Sequence, residues 1–131
     1  MKYGSPSDEP VRWESAIWKN SDKYPGVRYR VRRVSLTGRA ELTRRVRGLL
    51  EELGCRAAGD SPEDQLAAVQ LELEADRIYT EWGVLEIEGL KVDGAPATVA
   101  ACLAKGPELL CREMAAAVRE ELALTEDERK N

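Results

Sequence analysis

The sequence predicts an α+β domain in which a small antiparallel sheet or ribbon packs with about four helices. Three observations lead there. Val27, Tyr29 and Val31 alternate with Arg28, Arg30 and Arg32, which is the period of a half-buried strand. Leu42, Val46, Leu49, Leu50 and Leu53 recur at helical spacing, as do Ala67, Leu71, Ala75, Ile78 and Trp82. The elements then run strand, helix, helix, strand or ribbon, helix, helix, an order that suits a small sheet with helices over it.

Each element has its own local signals. The first strand is expected over 27–36, with a bulge or strand end where the alternation slips at Arg33-Val34. Thr37 is a fitting N-cap and Gly54 a fitting terminator, so the first helix is expected over 37–53. Ser61-Pro62-Glu63-Asp64 sets an N-cap, a proline at the first helical position and two acids in the first turn, opening a helix over 61–82 that Gly83 ends. Residues 84–92 read as a strand, or as a short ribbon of 84–88 and 90–92, followed by the turn dipeptide Asp93-Gly94. Thr98 caps a short helix over 98–104 that Gly106 closes, and Pro107 starts a longer one over 107–123. Thr125 with Glu128 fits a capping box for a last turn. The organisation expected is a flexible N-terminal arm over 1–22, a single domain over 23–124 and a polar tail over 125–131.

Composition limits what such a domain can be. Its 131 residues suit one domain with a core of its own, 43% hydrophobic and 34% charged. Phe is absent, so Leu, Val, Ala and Ile must fill the core, with Ala115, Ala116 and Ala117 favouring close helix contacts. The first ten residues are polar, with no apolar stretch of a signal peptide, and no apolar run approaches the ~20 residues that span a bilayer. Cys55, Cys102 and Cys111 are odd in number and unlike any metal-binding spacing, which favours a reducing, cytoplasmic setting and no disulfide framework.

Charge is sorted along the chain. Lys23 to Arg56 carries ten bases against three acids, whereas Ala57 to Asn131 carries seventeen acids against seven bases. Two readings follow. Arg28, Arg30 and Arg32 on the strand, with Arg44, Arg45 and Arg47 on the next helix, could meet phosphates, with Tyr24 and Tyr29 as stacking surfaces, although Tyr29 shares the apolar strand face with Val27 and Val31. Or the arginines pair with the acidic half (Glu72, Glu74, Asp76, Glu81, Glu86 and Glu88) or with an acidic protein. The net charge of −4 favours the second. Trp13 and Trp18, in the polar arm, are either interface anchors or rings that pack back on their own domain.

Catalytic signals are weak. The chain has no histidine, which removes Ser–His and Cys–His nucleophiles and histidine-containing metal sites. Its glycines form no phosphate loop. Cys102 and Cys111 read as small buried hydrophobes. No enzyme activity, cofactor or metal is expected.

Three stretches carry a resemblance. Tyr24-Pro25-Gly26-Val27 leads into Val31-Arg32-Arg33-Val34-Ser35-Leu36 and an arginine-rich helix. Trp82 to Gly94 is followed by Ala97-Thr98. Gly106-Pro107-Glu108-Leu109-Leu110 opens a helix that closes on Glu126 to Asn131. This layout resembles the tail assembly chaperones of phages and prophages over roughly residues 24–131. The resemblance implies a non-enzymatic cytoplasmic protein of a bacterial host that binds the long helical tape measure protein and keeps it soluble until the tail tube polymerises. It implies nothing about oligomeric state. Contact residues expected on this reading are Trp13, Trp18, Arg28, Arg30, Arg44 and Arg45. A nucleic-acid-associated regulator using the strand and helix over 28–47 is the alternative. A chaperone of this kind needs an apolar groove, which the helical stripes could supply or could spend on their own core.

Overall fold

Residues 9–130 are described by a computed structural model; Met1–Asp8 and Asn131, within the expected arm and polar tail, lie outside the described residues. The elements are β1 (Ala16–Asn20), β2 (Arg28–Arg32), α1 (Leu36–Ala57), α2 (Pro62–Gly83), β3 (Val84–Glu88), β4 (Lys91–Val92), β5 (Ala95–Pro96), α3 (Val99–Lys105) and α4 (Glu108–Lys130). The fold is α+β with four helices. Its main sheet has three antiparallel strands in the order β1-β2-β3, and β4 and β5 form a separate two-stranded ribbon.

The strand alternation at 27–32 does what its period requires. Val27, Tyr29 and Val31 are buried, while Arg28 is exposed and Arg30 and Arg32 are half-buried on the other face. In β3 the pattern is broken once. Arg30 pairs with Glu86 but Val31 pairs with Val84, so Leu85 is an extra residue that bulges out and stays exposed. The bulge lets both Val84 and Ile87 face inward from a five-residue strand.

The core lies between the inner sheet face and the helices. Val31, Trp82, Leu110, Met114 and Val118 are its largest fully buried apolar side chains. Each contributes about 1.5–3 kcal/mol of burial free energy. Trp82 also satisfies its indole, donating from Nε1 to Glu41 Oε1 at 3.1 Å. Gly83 permits the close crossing of α2 and α4. A Cβ there would stand 2.7 Å from Val118 Cγ1 and closer still to Cγ2.

Several boundaries differ from the sequence reading. Residues 16–20, expected within a flexible arm, form an edge strand with five paired positions, from Ala16 opposite Arg32 to Asn20 opposite Arg28. Its Ala16, Trp18 and Asn20 lie opposite Arg32, Arg30 and Arg28, and the run Ala-Ile-Trp-Lys-Asn lacks the polar–apolar alternation that announces a strand. The first predicted strand ends at Arg32, and Ser35 rather than Thr37 caps α1, accepting from the Gly38 N–H at 3.0 Å. Gly54 does not stop α1, which continues to Ala57. Residues 91–92 leave the main sheet and pair with 95–96 across Asp93-Gly94, whose φ values of 52° and 83° suit a tight hairpin turn. The final helix does not end near Ala123 but runs to Lys130 without restarting at Thr125.

Candidate functional site

The residues expected to contact a partner fall into three places. Trp18, Arg28 and Arg30 share the outer sheet face, where Arg30 lies in register between Trp18 and Glu86. The Arg28 guanidinium sits 4.1 Å from the centroid of Trp18, while its Nε and Nη2 both reach Glu88 Oε1 at 2.7 Å. Trp13, 59% exposed, stacks instead against Arg33, with the guanidinium 4.4 Å from its ring. Arg44 and Arg45 lie on α1, where Arg45 meets Glu81 of α2 at 3.2 Å. Among the described residues, no hydrogen bond, ion pair or ring contact joins these α1 arginines to the sheet group.

Much of the basic segment's charge is met by the chain's own acids. Arg28 pairs with Glu88, Arg45 with Glu81 and Arg56 with Asp64, the last at 3.1 Å. Arg33 Nε lies 3.6 Å from Glu121 Oε1, an ion-pair distance rather than a hydrogen bond. Glu121 also faces Lys19 at 3.9 Å and is buried. Arg32 donates to the Trp82 carbonyl at 2.9 Å. The sorting of charge along the sequence therefore joins the two halves of the fold. Solvent screens the exposed pairs, so each adds little to stability.

Glu113 is the polar centre that the sequence reading missed. It sits on α4 and grips the loop between β1 and β2. Its Oε1 accepts from the Ser21 hydroxyl at 2.8 Å and from the Lys23 N–H at 3.4 Å. Its Oε2 accepts from the Asp22 N–H at 2.9 Å and from the Tyr29 hydroxyl at 3.1 Å. Ser21 in turn accepts from the Tyr24 N–H at 3.0 Å. Burial opposes ionisation of Glu113, but these four donors outweigh it and hold the carboxyl below its ordinary value. Burial, and then the charge of Glu113, push the Tyr29 phenol up. A sequence signal exists: Leu110, Glu113, Ala117 and Glu121 follow at three- and four-residue steps, so both acids fall in phase with buried positions. The arrangement is a structural clamp, with every partner belonging to the fold.

The surface with spare apolar area is the hairpin of α1 and α2. Between Val46 and Ala75 no residue is buried. Yet this stretch carries Leu50 at 40% exposure, Leu66 at 64%, Val69 at 48% and Leu73 at 41%. Leu66, Val69 and Leu73 stand at helical spacing, beside the Ala67, Leu71 and Ala75 row of the same helix. A groove of about 340 Å³ lies at the hairpin's base, lined by Leu42, Val46, Leu50, Tyr79 and Leu122, with Arg39 and Arg47 at its polar edge. Leu73 enters a second pocket of similar volume, beside Leu103 and Cys111.

Among the described residues, no group of three or more metal-ligating side chains is gathered and no helix is long and apolar enough to cross a membrane. No protein-family model matches the chain, and no curated protein or solved structure matches it.

Proposed function

We propose that this chain is a non-catalytic protein-binding domain that holds an amphipathic helix of a partner, the role a tail assembly chaperone plays toward a tape measure protein. The observation that carries the reading is the α1–α2 hairpin, whose 47–74 stretch buries no residue while Leu50, Leu66, Val69 and Leu73 stay partly bare. Two antiparallel helices cover one side of each other, and a third helix along the open side completes the packing that a bundle requires. The groove beside α1 has an apolar floor of Leu42, Val46, Leu50 and Leu122, which suits the apolar stripe of a partner helix. Pairing of Arg28, Arg45 and Arg56 with internal acids supports a protein partner over nucleic acid. The resemblance in layout supplies the particular partner, a long helical tail protein.

The test is co-expression of the chain with a tape measure protein, followed by capture at low and high salt with and without nuclease. The helical protein should stay soluble and bound at high salt after nuclease. Leu50→Glu with Val69→Glu should release it while leaving the fold intact, since both side chains are already partly in water. Retention of nucleic acid alone, lost at high salt, would transfer the function to the arginines of the sheet face and α1.

A further inference from the structure

Cys102 lies in the last turns of α3 and Cys111 is the fourth residue of α4, so the Gly106-Pro107 bend folds one thiol against the other. The two sulfurs are 3.7 Å apart. Cys111 Sγ also lies 3.4 Å from the Cys102 carbonyl oxygen, to which it donates. That leaves the Cys102 S–H to point at the Cys111 sulfur. The two sites differ in access. Cys102 is fully buried, and Gly106 packs so closely over it that an added Cβ would stand 2.9 Å from its sulfur. Cys111 is half-buried and lines the pocket of about 340 Å³ formed with Leu73, Asp76, Arg77, Leu103 and Glu108. Its thiol is held below the ordinary value by the hydrogen bond from Cys102, against burial and the charge of Glu108. The same hydrogen bond, and then burial, push the Cys102 thiol up. One sulfur is thus reachable and the easier to ionise, and the other is protected and in contact with it, as in a reactive cysteine with a resolving partner.

We propose that Cys102 and Cys111 form a reversible dithiol–disulfide site, oxidised by small hydroperoxides that enter the pocket at Cys111. The Cys111 thiolate attacks the terminal oxygen of the hydroperoxide and its O–O bond breaks. The departing oxygen takes up the proton that Cys111 gave up, leaving as an alcohol, or as water where the oxidant is hydrogen peroxide. Cys111 is then a sulfenic acid. The Cys102 sulfur attacks the Cys111 sulfur, the S–O bond breaks, and the hydroxide leaves as water with the Cys102 proton. Two thiols are oxidised by two electrons and one hydroperoxide is reduced. The sulfurs have to close from 3.7 Å to the bonded length of about 2.05 Å. Exchange with a low-molecular-weight thiol reverses the bond. Cys55, exposed on α1 and distant in sequence, serves as an internal reference for unassisted thiol oxidation.

The experiment treats the full chain with hydrogen peroxide, quenches it in denaturant with an alkylating reagent, and reads intact mass and a peptide map. The expected product has lost two hydrogens, carries one alkyl group, at Cys55, and yields a linked Cys102–Cys111 peptide. Dithiothreitol should restore three alkylated thiols. In Cys102→Ser, a sulfenic acid should persist at Cys111 and be trapped by dimedone, while Cys55→Ser should leave the linkage unaffected. Retention of the alkyl groups on Cys102 and Cys111 at peroxide levels that oxidise Cys55 would overturn the proposal. So would a linkage through Cys55. Both outcomes are read on the unsubstituted protein, so they hold even if a core substitution impairs folding.

Discussion

Replacing Glu113 with Gln removes one negative charge and keeps the shape of the side chain. In the native fold its two oxygens receive four donors from the β1–β2 loop and β2. An amide must aim its NH2 group at two of them. The less costly orientation places it toward Ser21 and Lys23, because the Lys23 contact is long at 3.4 Å and the Ser21 hydroxyl can rotate. Rotation, however, disturbs the oxygen that caps the Tyr24 N–H. The bonds from Asp22 and Tyr29 survive but become neutral rather than charge-assisted. Hydrogen bonds to a charged group contribute about 1.5–3 kcal/mol and neutral ones about 1. Losing the long Lys23 bond, reversing the Ser21 bond and weakening two others by about 0.5 kcal/mol each gives a destabilisation of roughly 2 kcal/mol. For a chain of this size that corresponds to a fall in Tm of about 6–10 °C.

The pH dependence separates this account from simple loss of packing. The Glu113 carboxyl is held below its ordinary value of 4.5, so its contribution is complete above that value. It is lost as pH falls through 4.5 toward the lower native value, where the native state must take up a proton already bound in the unfolded chain. Tyr29 works at the other end. Its pKa is raised above 10.0, so its contribution is complete below that value and declines as pH rises past it. Urea unfolding followed by circular dichroism, from about pH 3 to 7, should show a steeper acid slope for the unsubstituted chain than for E113Q. Amide exchange at Asp22 and Lys23 should accelerate in the variant. A cost below about 0.5 kcal/mol, with exchange unchanged at those two amides, would refute the clamp.

Two further substitutions probe the core. Gly83→Ala inserts a methyl group against Val118 where α2 crosses α4, and should destabilise by about 1–3 kcal/mol in the same unfolding assay; no measurable loss would mean that the helices separate without cost. Thr80→Val should have the opposite sign. Thr80 is fully buried and its hydroxyl has no hydrogen-bond partner among the described residues, so removing it should raise stability by about 1 kcal/mol, seen as a higher urea midpoint with an unchanged slope.

The elements most legible in the sequence were those whose local signals agree with their packing. Ser61-Pro62 opens α2, Gly83 ends it, and Thr98 and Gly106 bound α3. Elements defined by a partner elsewhere in the chain were harder to see. β1 presents Trp18, Lys19 and Asn20, which resemble a loop until β2 is laid beside them and α4 supplies Glu120 and Glu121 for Lys19. Gly54 looks like a helix terminator, but termination by glycine depends on a left-handed conformation, and here α1 continues through it. The expected contact residues were chosen for exposure and charge. Pairing with the acidic half was legible from the sorted charge, but which arginine meets which acid, and that Arg28 lies over Trp18, depends on the register of β1, β2 and β3 and on the α1–α2 packing.

The separation of roles along α4 and the α1–α2 hairpin follows from where the acids lie. On α4, Glu113 and Glu121 occupy positions in phase with Leu110 and Ala117, so the polar groups that cost most to bury are spent on fixing the sheet to the helix. Those interactions and the Trp82 and Val118 core hold the body, to which the 47–74 stretch adds Leu49 packed at the core's edge. Leu66 and Val69 leave about half or more of their surface in water, which costs stability relative to polar residues at the same positions only if nothing covers them. A body held together at one end, with partly bare apolar helix surface at the other, is the surface that the proposed helix-binding role would use.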